Sequence, residues 1–154
     1  MDAPTVDKLY SLAQDLALAH EGFFEKMGPG TGDKSTNAFM AKLRQRAIET
    51  FGRDFSEAQI SGENRLAVDF YFPHARTAIE IALSLRNSNT EFERDILKAL
   101  MANACGNPVS TLVFISKPGA TKRLAEPAPR AIMAWVRDTH GLAIEVRELV
   151  PGAA

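Results

Sequence analysis

The sequence predicts a mixed α/β domain with a central sheet flanked by helices, and three observations carry the prediction. Residues 65–72 and 77–85 are adjacent runs that alternate apolar and polar side chains, the period of two that marks strands. Residues 110–116, STLVFIS, are apolar on both faces, as a central strand covered on both sides must be. Runs of helical period lie before, between and after these strands.

Taken in order, Thr5 caps a first helix extending to about Met27, with an apolar stripe of Leu9, Leu12, Ala13, Leu16, Ala17, Phe23 and Phe24. Residues 28–35, GPGTGDKS, approach a phosphate-binding loop. Asp33 stands where that motif needs glycine, and a helix precedes it instead of a buried strand, so an interhelix loop is expected. Ser35 or Thr36 caps a second helix to Phe51, burying Phe39, Met40, Leu43, Ala47 and Phe51 and ending at Gly52. Residues 56–61 form a short strand.

In the central hairpin, Leu66, Val68, Phe70 and Phe72 point one way, and Ala67, Asp69 and Tyr71 the other. In its second strand Ile79, Ile81, Leu83 and Leu85 oppose Ala78, Glu80, Ala82 and Ser84. Pro73, His74, Ala75 and Arg76 supply the loop, with His74 as a turn residue. Pairing Phe72 with Thr77 sets Asp69 directly opposite Glu80, their Cβ atoms roughly 4.5–5.5 Å apart. Two carboxylates so placed repel unless a cation, a shared proton or a basic group relieves them, and Arg65 or Arg86 is one source of relief. Ala67, Ala78, Ala82 and Ser84 leave room beside them.

Thr90 and Glu93 form a capping box for a helix to Ala104. Phe92, Ile96, Leu97 and Leu100 face inward, Arg94 and Lys98 share an outer face, and Cys105 is a small buried residue. After residues 110–116 comes a basic loop, 117–129. A helix then starts near Pro129 and runs to His140, presenting Ile132, Met133, Trp135 and Val136 and capped by Gly141. Residues 142–149 are the last strand, joined through crossover connections.

Length and composition bound the function. A chain of 154 residues with 45% hydrophobic and 24% charged content suits one soluble domain, residues 1–150. Within it, 1–34 form an N-terminal helix and loop, 35–149 the core, and 151–154 a flexible tail. No apolar run approaches the ~20 residues of a membrane span, so no membrane association is expected. The acidic N-terminus lacks a secretion signal, and a single cysteine suits a reducing compartment, which together predict a cytoplasmic protein. One cysteine and three histidines give no zinc signature. The net charge of −1 is unevenly spread, with residues 34–53 and 117–137 each at +4 against −4 for 1–33. Lys42, Arg46, Lys122 and Arg123 are therefore candidate contacts to nucleic-acid phosphates.

Helix, antiparallel strands bearing an Asp and a Glu, helix, strand is an order that resembles the PD-(D/E)XK superfamily, the restriction-endonuclease-like fold, over residues 36–149. Asp69 stands where that family places its first metal-binding aspartate. Glu80, Ile81 and Ala82 stand where it places the (D/E)-x-K tripeptide. The resemblance implies a nuclease that hydrolyses DNA, or RNA, with Mg²⁺ or Mn²⁺ held by Asp69, Glu80 and the backbone carbonyl of Ile81. It also implies a homodimer as an option, since cutting two strands often calls for two copies. Glu49 points away from its helix's apolar stripe and reads as solvated.

The departure from the family is Ala82, where the lysine belongs. Arg86, Arg94 and Lys98 are the basic residues that could replace it, with Arg86 and Lys98 taken as catalytic candidates. Phe92-Glu-Arg-Asp95 resembles the acidic helix of family members that also lack the lysine. Without a replacement, weak, Mn²⁺-favouring cleavage is expected. A catalytically inactive nuclease-fold protein that binds nucleic acid or a protein partner is the alternative.

Overall fold

A computed structural model describes residues 1–25, 32–85 and 89–152, the side chains of 32–35 and 89 excepted. The chain divides into two compact units, Met1–Asp54 with Leu149–Ala154, and Phe55–Glu148.

The first unit holds two helices. Thr5 caps α1 (Val6–Ala19), its side chain accepting from Lys8 N at 3.2 Å, and Leu9, Ala13, Leu16 and Ala17 are buried. The helix stops earlier than its apolar stripe suggests, at His20 in extended geometry, and Gly22 then turns the chain at φ 75. Phe23 is buried from that turn against Phe39, ring centroids 4.9 Å apart. Helix α2 spans Gly32–Phe51, so Asp33, Lys34 and Ser35 are helical, while the first part of the glycine-rich stretch lies outside the described residues. Glu49 lies exposed on α2 beside Gln45, as expected.

The second unit is a five-stranded mixed sheet in the order β1-β2-β3-β4-β5: β1 (Ser56–Ala58), β2 (Val68–Phe72), β3 (Thr77–Ile81), β4 (Thr111–Ser116) and β5 (Ala143–Glu148). The first three strands are antiparallel, and β3, β4 and β5 are parallel. The hairpin has the expected register, Phe72 with Thr77 and Phe70 with Ile79. Its loop is a 3₁₀ turn, Pro73–Ala75, closed by Arg76 in the left-handed region.

Both hairpin strands are shorter than their alternation. Arg65 sits at φ 64 and Asn64 Oδ1 accepts from Leu66 N, a local turn that outcompetes strand geometry before Val68. At the other end Ala82 N still donates to Ile115 O, and then Leu85 N closes a turn onto Ala82 O. Leu83 and Leu85 are apolar because that turn is buried, which alternation alone cannot distinguish from a strand.

Helix α3 (Asn89–Ala104) crosses from β3 to β4. Thr90 lies inside its first turn, so it is not the cap. Phe92, Ile96, Ala99 and Ala102 pack with Tyr71, Ala78, Ala82, Leu112 and Phe114. The expected face is rotated: Leu97 is 57% exposed and Lys98 is buried at 8%. Cys105, expected to be buried, is exposed, because the helix ends before it and Gly106 leads the chain away. The basic segment after β4 is not all loop, since Gly119 at φ 108 starts a short helix, α4 (Ala120–Leu124). Helix α5 (Pro127–His140) begins two residues earlier than expected, Pro127 filling its first turn, and ends at Gly141 in the left-handed region. Val136 is buried there, while Trp135 is half-exposed and meets His140 edge-on.

Candidate functional site

The end of the hairpin places Asp69 and Glu80 together on the face that α3 covers. Each carboxylate is caught by the opposite strand's backbone. Asp69 N donates to Glu80 Oε1 at 2.9 Å, and Ile81 N donates to Asp69 Oδ2 at 2.7 Å. An extended residue points its N–H and C=O to the same edge, so the Ile81 carbonyl lies on the β2 side of β3.

Lys98 comes down from α3 onto this pair. Its Nζ donates to Glu80 Oε2 at 2.8 Å and to the Ala67 carbonyl at 2.8 Å, and sits 3.1 Å from Asp95 Oδ1. All three ammonium donors are thereby engaged. Ser61 Oγ donates to the Lys98 carbonyl at 2.7 Å and holds that part of the helix. Glu91, one turn before Asp95, accepts from Ser84 Oγ at 3.0 Å. Glu91, Asp95 and Lys98 fall on one helix face at the spacing i, i+4, i+7. That spacing is readable in the sequence, but the apolar Leu97 drew the inward face to the wrong side of the wheel.

The cluster is short of positive charge. Asp69, Glu80, Glu91 and Asp95 bring four carboxylates against one ammonium. Burial first, then the charges of Asp69 and Asp95, push the Glu80 carboxyl up to about 10, against the pull of Lys98. Burial also raises Glu91, with Asp95 and Asp69 adding to it and Ser84 opposing. Burial draws the Lys98 ammonium down, yet the carboxylates of Glu80 and Asp95 outweigh it and hold its pKa above the ordinary lysine value. The cluster therefore retains a proton or takes up a cation.

Among the described residues no three His, Cys, Asp or Glu side chains gather as a closed metal cage would need. Mg²⁺ needs no such cage: it keeps several waters and uses one or two carboxylates. Asp69, Glu80 and the Ile81 carbonyl are hard oxygen donors in an electron-rich cluster, and they fit that ion. The remaining candidates fall out differently. Arg86 lies outside the described residues. Arg94 is exposed on α3. Lys98, assigned in the sequence to an outer helix face, is buried on Glu80.

Lys122 and Arg123 lie on α4, whose Thr121 N donates to Glu148 Oε2 at 2.8 Å at the end of β5. Because β3, β4 and β5 are parallel, this is the end of the sheet that carries Glu80, about 12 Å away across two strand spacings and two residues along. Lys122 is exposed, and Arg123 is paired with Glu126 at 2.8 Å. Lys42 and Arg46 are exposed on α2 in the first unit. No helix among the described residues is long and apolar enough to cross a membrane.

The raised Glu80 carboxyl has a measurable consequence. With its carboxyl pushed up to about 10, folded Glu80 keeps a proton that the unfolded chain releases near the ordinary glutamate value of 4.5. Stability from this group is therefore full below about pH 4.5 and is lost as pH rises toward 10. Urea midpoints in chelator at pH 5, 7 and 9 should fall more steeply for the wild type than for Glu80→Gln. Parallel profiles would show that the carboxyl is not raised. A divalent cation bound at the carboxylates would displace the proton, so its stabilising effect would grow with pH. Family models, curated proteins and solved structures offer no match to this chain.

Proposed function

We propose that the chain is a metal-dependent nuclease of the PD-(D/E)XK type that hydrolyses DNA phosphodiester bonds, with its lysine delivered from α3 instead of from the strand. The observation that carries this reading is Lys98 Nζ at 2.8 Å from Glu80 Oε2, on the face where Ala82 replaces the family lysine. The sheet order and the register that joins Asp69 to Glu80 support the restriction-endonuclease-like assignment. Asp69, Glu80 and the Ile81 carbonyl would hold Mg²⁺ or Mn²⁺, which when bound supplies Lewis acidity and a water of lowered pKa. Asp69 is oriented by Ile81 N, so its carboxylate is positioned before substrate arrives. Lys98 places a fixed positive charge where negative charge develops on the phosphate. Lys122 lies at the same end of the sheet and suits a neighbouring phosphate.

One observation favours the alternative of an inactive nuclease-fold protein: the three donors of Lys98 are already engaged, so its ammonium can serve as the cluster's built-in cation. Plasmid and linear DNA incubated with Mg²⁺ or Mn²⁺ separate the readings. The nuclease reading expects cleavage that disappears in chelator and in both Asp69→Ala and Glu80→Ala. Cleavage untouched by Asp69→Ala would place the chemistry elsewhere. No cleavage with either metal by a folded wild type leaves the inactive reading.

A further inference from the structure

We propose that the outer edge of β5 is a homodimer interface, on which a second copy of this chain pairs its own β5 antiparallel about Val146. The two edges of the sheet differ. β1 is three residues long and Glu57 within it sits at φ 47, a kink that spoils an edge for pairing. β5 has six residues, no proline, no glycine and no residue of positive φ. It is the last strand of the sheet. Ala143 N donates to Ser110 O on the β4 side, so the alternation of an extended strand turns the N–H and C=O of Ile144, Val146 and Glu148 to the outer edge.

Charge selects the occupant and the register. Glu145 and Arg147 lie on one face of β5, 3.9 Å apart within the strand. When Val146 faces its own copy, Glu145 stands opposite the partner's Arg147, and Arg147 opposite the partner's Glu145. Val146 carries outward-facing groups, so it forms a hydrogen-bonded pair with its copy. The Glu145–Arg147 pairs are then non-hydrogen-bonded pairs, the kind with the closest side chains. Shifting the register in either direction by the step that preserves the outward hydrogen bonds separates the opposite charges. The strand is thus complementary to itself, as a two-fold interface requires. The groove beside it, between α5 and β5, is lined by Arg130, Arg137, Ala143 and Ile144.

Sedimentation equilibrium with the full chain tests this. The wild type should be a dimer at tens of micromolar, by the affinity scale of edge pairing without a large apolar area. Glu145→Arg and Arg147→Glu should each weaken association by about tenfold or more, since each sets like charges opposite one another twice across the two-fold axis. The double variant should restore it. Amide exchange at Ile144, Val146 and Glu148 in the wild type should slow as concentration rises, a readout that needs no variant. A wild-type monomer at these concentrations, a dimer indifferent to both single reversals, or a double variant that stays dissociated would overturn the proposal. Retention on immobilised DNA without self-association would assign the arginine groove to phosphates instead.

Discussion

Replacing Lys98 by methionine should cost about 3–5 kcal/mol of folding stability in chelator at neutral pH, the cost of breaking a buried ion pair from one side. The side chain is matched in length, so little of the loss comes from volume. What remains is buried Asp95 without the Lys98 ammonium, beside Asp69 and a Glu80 carboxyl that already holds its proton at neutral pH. Two treatments should repair the variant. Lowering the pH protonates the carboxylates and should recover much of the loss. Millimolar Mg²⁺ or Mn²⁺ should also recover it if the site takes a divalent ion, because a ligand bound only by the folded state stabilises by mass action. Thermal or urea unfolding of wild type and Lys98→Met, with and without metal, reads both effects. Rescue by acid but not by metal would identify Lys98 as a permanent structural cation and sink the metal site. A loss below about 1 kcal/mol would show that the ammonium is solvated and the cluster is not closed around it.

The hairpin was legible in the sequence because its signal is local. Alternation fixes the faces, Pro73 to Arg76 fix the loop length, and a one-residue slip would expose every apolar side chain, so the opposition of Asp69 and Glu80 follows by counting. The strand ends were not legible. Leu83 and Leu85 keep the period of two through a buried turn, and only the hydrogen bond from Leu85 N to Ala82 O reveals the change of backbone. Lys98 was the larger difficulty. On a helix carrying Leu97 and Leu100, an amphipathic reading puts lysine outside. The cost of burying its charge is met by partners 18 and 31 residues away in the chain, Glu80 and the Ala67 carbonyl, which no local pattern reports. Asp95, three residues before it, is the local sign that such a burial is compensated.

Placing a lysine on the strand should test the proposed catalytic role of Lys98 separately from its role in stability. Lys98→Ala should lower metal-dependent cleavage by about 10²–10³-fold, the loss typical of one well-placed electrostatic donor. Ala82→Lys alone should not help. Ala82 is fully buried in the cluster with Phe92 and Ile96, so the longer side chain overpacks it at roughly 1–3 kcal/mol, and two ammonium groups would then compete for Glu80. The double variant is different, because removing Lys98 frees the volume and the carboxylates that a lysine at position 82 would use. Ser116 adds an acceptor. Its hydroxyl is buried without a hydrogen-bond partner among the described residues, and the register of β3 on β4 sets it beside Ala82. The double variant should therefore recover at least about tenfold of the lost rate, against single variants that both fall. Recovery of rate together with metal affinity would mean that the ammonium, and not the helix it comes from, is what the phosphate chemistry needs. Full stability in the double variant with cleavage still at the Lys98→Ala level would confine Lys98 to holding the fold.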